Sequence, residues 1–599
     1  MKQSLLYPCT NACRNFISLD GLWKMQFDPE GTGSEQNWQN GLPEPFSMPV
    51  PASFADIFTE KEKRDYCGDF WYETKFYLEE DDSRNVILRF GSITHRADVY
   101  VNGIKAGDHE GGFTPFVLDI TGLVRFGNKN RISVRVNNEL NETSIPCGSV
   151  KVHSDGHKTA APYFDFFNYS GIQRSVHLLK VPKESIIDYD TITKLSGNDA
   201  VISYHVTTDG DHEVIAELFD SEHQKVASSK GKDGELSVKD AHLWKVRDAY
   251  LYSLVLQIVD EEGNTIDKYP AKLGIRTIET KGKEILLNGK PVYLKGYGKH
   301  EDFEVIGRQF NYAVAARDFE CMKWTNANCF RTSHYPYAEE WYQMADEEGF
   351  LIIDEVPAVG MMRSLMNFAA AGTGGKDTRF FMADTVKELQ NNHRNAIEEM
   401  IIRDKNHPSV IAFSLFNEPE TTYPEAHDYF SPLFDFARQI DPEKRPLTGA
   451  LLVNSTPDKD TCAALCDIIA LNRYYGWYIA GGPDLPEAEA AFRKEMDEWA
   501  KVCENKPLIF TEFGADTYAS EHKLPSVMWA QEYQNEYYEM NFRVMNCYDF
   551  VQGELVWNFA DFQTTEGIMR VNGNKKGIFT RNRQPKDAAY LLKKRWSEK

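Results

Sequence analysis

The sequence has no Cys-x-x-Cys pair. Its ten cysteines are scattered, and the nearest neighbours, Cys9/Cys13 and Cys462/Cys466, lack the His or Cys partners that a zinc site requires. No metal site is expected, and the thiols read as reduced, mostly buried groups of a cytoplasmic protein. Long apolar runs are missing too. The first eight residues, Met1 to Pro8, carry one lysine but no apolar core of signal-peptide length, and no window approaches the ~20 apolar residues of a membrane-spanning helix. Positive charge is in deficit, with 67 Lys and Arg against 90 Asp and Glu, a net charge of −23. That balance argues against a nucleic-acid or anionic-membrane surface. An anionic substrate would need a local cluster of cations working against the global field. Repeats and low-complexity tracts are also lacking. With 42% hydrophobic and 26% charged residues, collagen-like, coiled-coil and wholly disordered chains are excluded.

What is present is long and mixed. At 599 residues the chain exceeds what one hydrophobic core supports, so three or four domains are expected. In the first half, 85–90, 97–101 and 130–136 alternate apolar and polar residues, as in Ile132, Val134 and Val136. Asn102-Gly103 directly follows one such run and signals a tight hairpin, because both turn positions tolerate φ > 0. These features predict a jelly-roll-like β-sandwich over residues 1–182. Alternation resumes at Ile202, Tyr204, Val206 and at Tyr252, Leu254, Leu256, Ile258, predicting an immunoglobulin-like sandwich over 183–277.

Near residue 280 the rhythm changes to short apolar runs alternating with amphipathic helical stretches. Candidate strands fall at 292–296, 327–331, 350–354, 409–416, 446–449, 467–471, 507–511 and 554–556. One helix carries Ala315, Phe319 and Met322 on a common face; the next carries Trp341, Met344 and Ala345 and is stopped by Gly349. Eight strands in this span predict a (β/α)8 barrel over 278–599.

Barrel chemistry sits at the carboxyl ends of the strands. Those ends read Arg331 to His334, Asp354-Glu355, Asn417-Glu418, Asn472, Glu512 and Trp557. Glu418 and Glu512 follow buried apolar runs directly, where an unpaired carboxylate is costly. One such glutamate is most simply a salt-bridged cap. Two of them, with Asn, Tyr, Trp and His at neighbouring strand ends, suit glycosidic cleavage: one acid for the leaving oxygen, one carboxylate for the anomeric carbon. Asp354-Glu355 read better as strand-end hydrogen-bond partners than as metal ligands.

Two stretches become specific. Asp404-Lys405-Asn406-His407-Pro408-Ser409 running into Asn417-Glu418, and Asn328-x-x-Arg331-Thr332-Ser333-His334-Tyr335-Pro336, resemble the signatures of glycoside hydrolase family two. Within that family, 165–172, 471–478, 511–514, 557–562 and above all Arg570-Val571-Asn572-Gly573-Asn574-Lys575-Lys576-Gly577 resemble the β-glucuronidases of bacteria. The resemblance covers essentially the whole chain; one departure is Phe413, where the family usually has Trp.

The resemblance implies a retaining, exo-acting hydrolase of β-D-glucuronides that forms a covalent glycosyl-enzyme intermediate and uses no cofactor. Glu512 would be the nucleophile and Glu418 the acid and then base, with carboxyl groups ~5–5.5 Å apart. It also implies that Asn417 hydrogen-bonds the 2-hydroxyl, that Tyr474 and Tyr478 line the site with Tyr478 on the nucleophile, and that Asp165, His334, Asn472 and Trp557 grip the sugar. Arg570, Asn574 and Lys576 would take the uronate carboxylate, a charge that a neutral hydroxymethyl lacks. The long connection 357–384, with Met361, Met362, Leu365, Met366, Phe368, Phe380 and Phe381, reads as a lid over small aromatic or drug-like aglycones or as a subunit contact. A cytoplasmic homotetramer is the expected assembly. The rival readings are a β-galacturonidase or β-galactosidase on the same scaffold, and a non-catalytic carbohydrate-binding protein.

Overall fold

The computed structural model describes residues 5–81, 83–362, 379–382 and 385–599. Its N-terminal portion is a sandwich of two antiparallel sheets. One has the order Phe46–Val50, Gly21–Asp28, Asp69–Leu78, Asn128–Asn137, Arg96–Val101, Ile104–Glu110; the other runs Asn15–Ser18, Val176–Pro182, Arg84–Phe90, Phe116–Asp119. The alternating residues Ile132, Val134 and Val136 point into the core between them. Asn102 (φ 52°) and Gly103 (φ 85°) form the expected hairpin turn between Arg96–Val101 and Ile104–Glu110. A second sandwich stacks a three-stranded sheet on a four-stranded one, with Ile202, Tyr204, Val206, Leu254, Leu256 and Ile258 buried between them.

The catalytic-looking half closes as an eight-stranded parallel barrel: Leu294–Lys299, Cys329–Thr332, Leu351–Glu355, Val410–Asn417, Leu447–Leu451, Ile469–Asn472, Leu508–Glu512 and Val551–Val556. Each matches an expected run, and the two expected helices form at Tyr312–Trp324 and Glu339–Glu348, the latter ended by Gly349 at φ 69°. Most expected strands end a residue or two early, because Glu355, Asn417, Asn472 and Glu512 complete their strands although they are polar. Below the barrel, Trp244 of the second sandwich and Ile285 and Leu287 of a small antiparallel sheet close its floor against Leu294, Cys329, Leu351 and Ile509. Chemistry is thereby confined to the opposite rim.

All ten cysteines are free thiols, most of them buried. No described helix is long and apolar enough to cross a membrane, and among the described residues no cluster of His, Cys, Asp and Glu could hold a metal. Of the connection expected to act as a lid or as a subunit contact, residues 363–378 and 383–384, including Leu365, Met366 and Phe368, lie outside the described residues. At its ends Met361, Met362, Phe380 and Phe381 are buried; Cys147 of the N-terminal sandwich donates its N–H to Val359 O at 3.1 Å, and Phe381 packs on Tyr429 at 4.7 Å.

Candidate active site

The fourth strand, Val410–Asn417, is buried along its whole length, and the chain leaves it through Glu418 in a left-handed conformation, φ 52°. A non-glycine residue held there carries backbone strain, which the surroundings must over-determine. They do: the Glu418 N–H donates to Ala450 O at 2.8 Å, and Asn472 Nδ2 donates to Glu418 Oε1 at 2.8 Å. Asn472 is itself fixed by Thr511 Oγ1, which donates to its Oδ1 at 2.7 Å. Burial, and then the charge of Glu512, raise the Glu418 carboxyl to about 8, so it holds a proton at neutral pH.

Glu512 ends the seventh strand and meets donors on both oxygens. Arg331 Nη2 lies 2.5 Å from Oε1, and the Tyr474 hydroxyl donates to Oε2 at 2.6 Å. Arg331 is fully buried and also bridges to both Glu355 oxygens at 2.8 Å. Burial works to raise the Glu355 carboxyl, but Arg331 and His334 bring it below its ordinary value. The Arg331 guanidinium gains protonation affinity from the same partners against its own burial, so it stays cationic. His334 Nδ1 lies 2.8 Å from Glu355 Oε1, its Nε2 lies 3.6 Å from Glu512 Oε1, and its ring stacks on Trp557 at 5.0 Å. Asn417 Oδ1 accepts from Arg331 at 3.3 Å and Asn472 at 3.1 Å, which leaves the amide nitrogen as its outward group. Asp354, as expected of a strand-end partner, accepts from Thr332 and Tyr342 at 3.1 and 2.6 Å.

The cationic cluster lies one aromatic ring away. The Tyr474 ring whose hydroxyl binds Glu512 is 5.9 Å from Lys576 Nζ. Lys576 is buried; its ammonium meets the Tyr478 hydroxyl at 2.8 Å, sits over the Tyr478 and Trp477 rings at 4.8 and 5.6 Å, and pairs with Asp516. Arg570 Nε donates to both Asp165 oxygens at 2.9 and 2.8 Å and its Nη2 to the Tyr478 hydroxyl at 2.9 Å. Asn574 Nδ2 donates to Asp165 Oδ2 at 3.1 Å, and its Oδ1 accepts the Lys576 N–H at 3.0 Å. Asp165 therefore reaches the barrel from the sandwich, where its partners are the cluster's own donors.

One expected contact is corrected. Tyr478 bonds Lys576 and Arg570, and the tyrosine on the Glu512 carboxylate is Tyr474. The residues stand four apart in a turn of backbone where Tyr478 N–H donates to Tyr474 O at 3.2 Å, so only the fold decides which hydroxyl faces inward. Sequence reasoning gave no role to Arg331 and no site role to Glu355, and it missed Asp516 and His300. His300 packs between Trp557 at 5.4 Å and Phe562 at 4.3 Å and is held neutral, chiefly by burial. The available signal was position: each stands at or just past a barrel strand end.

Comparisons with known proteins identify the family. The profile of the glycosyl hydrolases family 2 TIM barrel domain matches residues 278–599, that of the family's sugar binding domain 16–182, and a third family 2 profile 175–276. The chain is 41% identical over 602 residues to a beta-glucuronidase of Paenibacillus borealis, covering 99% of each, and 37% identical to that of Homo sapiens, covering 100% of this chain and 93% of the relative. The structure of Ruminococcus gnavus beta-glucuronidase in complex with uronic isofagomine matches at 60% identity and a TM-score of 0.99, covering 100% of both chains. Two sandwiches stacked beside a barrel whose rim carries Glu418 and Glu512, matched by family profiles and relatives along the whole chain, establish that the protein belongs to glycosyl hydrolase family 2 and is a hydrolase.

Proposed function

We propose that the protein hydrolyses β-D-glucuronides with retention of anomeric configuration. The observation that carries the reading is Tyr474, which bonds the Glu512 carboxylate through its hydroxyl at 2.6 Å and has the Lys576 ammonium 5.9 Å from its ring centre, so an acidic sugar's carboxylate and its anomeric carbon can be served together. Glu418, protonated through burial and the neighbouring charge of Glu512, donates its proton to the glycosidic oxygen as Glu512 attacks the anomeric carbon. The aglycone leaves as the alcohol or phenol, and a glycosyl ester remains on Glu512. Esterification removes the Glu512 charge, the Glu418 carboxylate takes a proton from water, and the resulting hydroxide displaces the ester to release β-glucuronate.

Asn417, Asn472, His334 and Trp557 line the sugar in this reading, and Arg570, Asn574 and Lys576 receive the uronate, with Asp165 and Tyr478 organising them. Relatives named beta-glucuronidase support this substrate over a galacturonide or galactoside. Small aromatic conjugates are the proposed aglycones, the chain divides into units 1–182, 183–277 and 278–599, and the assembly is a cytoplasmic homotetramer. Proton NMR of the first sugar released from p-nitrophenyl β-glucuronide tests the chemistry: β-glucuronate is expected, and initial α-glucuronate would refute retention. The β-galacturonide and β-galactoside are expected to be turned over far more slowly, and light scattering checks the tetramer.

A further inference from the structure

Asp516 stands four residues beyond Glu512, in the loop that leaves the seventh strand. Its side chain is buried and both oxygens are committed. Oδ1 accepts the backbone N–H of Lys575 at 2.9 Å; Oδ2 pairs with the Lys576 ammonium and lies 3.8 Å from Arg570. The loop and the 575–586 segment are further stitched by Thr517 N–H to Lys575 O at 3.0 Å and by Lys586 Nζ to Thr517 O at 2.7 Å. Burial works to raise the Asp516 carboxyl, but Lys576 and Arg570 bring it below its ordinary value, which keeps it an anion.

A lysine ammonium is a compact charge with three donors on a flexible stem. Here one donor goes to Asp516 and one to Tyr478, which leaves a single N–H for substrate. Without Asp516 that ammonium would be buried with no counter-ion and free to re-aim within its aromatic cage. We propose that Asp516 is the positioning residue for uronate recognition, holding the Lys576 ammonium from the same loop that carries the nucleophile. One backbone segment then sets both where the sugar's carboxylate docks and where its anomeric carbon is attacked. The proposal rests on the glucuronide reading above.

The opposing account is that Asp516 only neutralises excess charge, in which case its removal would strengthen binding of an acidic sugar. Asp516→Asn separates the two, because its carbonyl oxygen still accepts the Lys575 N–H while the charge is lost. Binding of uronic isofagomine and of neutral isofagomine is measured by calorimetry, alongside KM and kcat on p-nitrophenyl β-glucuronide. For Asp516→Asn, affinity for the uronic compound is expected to fall about tenfold or more relative to the neutral one, with the loss on glucuronide mainly in KM. In a Lys576→Met background, where no buried cation is left unpaired, adding Asp516→Asn is expected to change that ratio no further. Equal losses on both inhibitors, tighter uronic binding, or a further change of the ratio in the Lys576→Met background would each overturn the proposal. A wild type that does not prefer the uronic inhibitor would instead overturn the glucuronide reading itself.

Discussion

Replacing Glu418 with Gln removes the ionisable group and keeps the side chain's shape, so its effect on stability can be followed with pH. In the folded protein the carboxyl holds its proton up to about 8, whereas its ordinary value is 4.5. Below pH 4.5 both folded and unfolded chains are protonated there, and the substitution has little effect. As pH rises from 4.5 towards 8 the unfolded chain gives up the proton and the folded chain retains it, so the wild type loses stability relative to Glu418→Gln. Above 8 the difference levels off. At 1.36 kcal/mol per pH unit, the variant is about 3 kcal/mol more stable at pH 7, worth roughly 5 °C in melting temperature for the barrel unit. Thermal melts of both proteins from pH 4 to 9 check this. A difference in Tm that is flat across that range, or a less stable variant at pH 7, would refute the reasoning that burial and the Glu512 charge keep Glu418 neutral. The same proton governs catalysis, so kcat/KM is expected to fall as pH rises through about 8, and a substrate with an activated leaving group should lose that alkaline limb in Glu418→Gln.

Other perturbations test other parts of the site. Lys576→Ala should cost about 10–100-fold in kcat/KM on a glucuronide and far less on a glucoside, since it removes a charged hydrogen bond only the uronate can make; parallel assays on the two sugars decide. Tyr474→Phe removes the 2.6 Å bond to Glu512 and should lower kcat about tenfold or more while KM moves less, as steady-state kinetics will read. Away from the barrel, Gly103→Val forces a β-branched residue to φ 85° in the hairpin turn, costing about 1–2 kcal/mol, which a lowered melting temperature would report without loss of activity at 25 °C.

Much of the architecture was legible because burial leaves periodic traces. Parallel strands covered on both faces read as apolar runs, and sandwich strands alternate, so all eight barrel strands and the hairpin at Asn102-Gly103 follow from residue order. The expected eighth strand, 554–556, falls short of the observed Val551–Val556 because Gln552 and Gly553 separate Val551 from the rest of the run. Glu554 is tolerated in the barrel wall because Arg595 and Trp596 of the last helix bind it at 2.6 and 2.7 Å and the Tyr293 hydroxyl donates to it at 2.9 Å. The two glutamates stood out for a related reason: an acid after a buried run must have partners. Which partners it has is a tertiary matter. Arg331, Glu355 and Asp516 come from different segments that meet only when the barrel closes, and the exchange of roles between Tyr474 and Tyr478 depends on a backbone turn that residue type does not encode.

The double grip of Arg331 has a consequence for the covalent stage of the proposed cycle. When Glu512 becomes an ester it ceases to balance a guanidinium that has no access to water. Glu355, 2.8 Å away, remains as counter-ion, so the arginine is not stranded while the sugar is attached. A lone arginine facing the nucleophile would make the intermediate pay for an isolated interior cation; sharing it between two carboxylates lets charge vanish from one side without exposing the other.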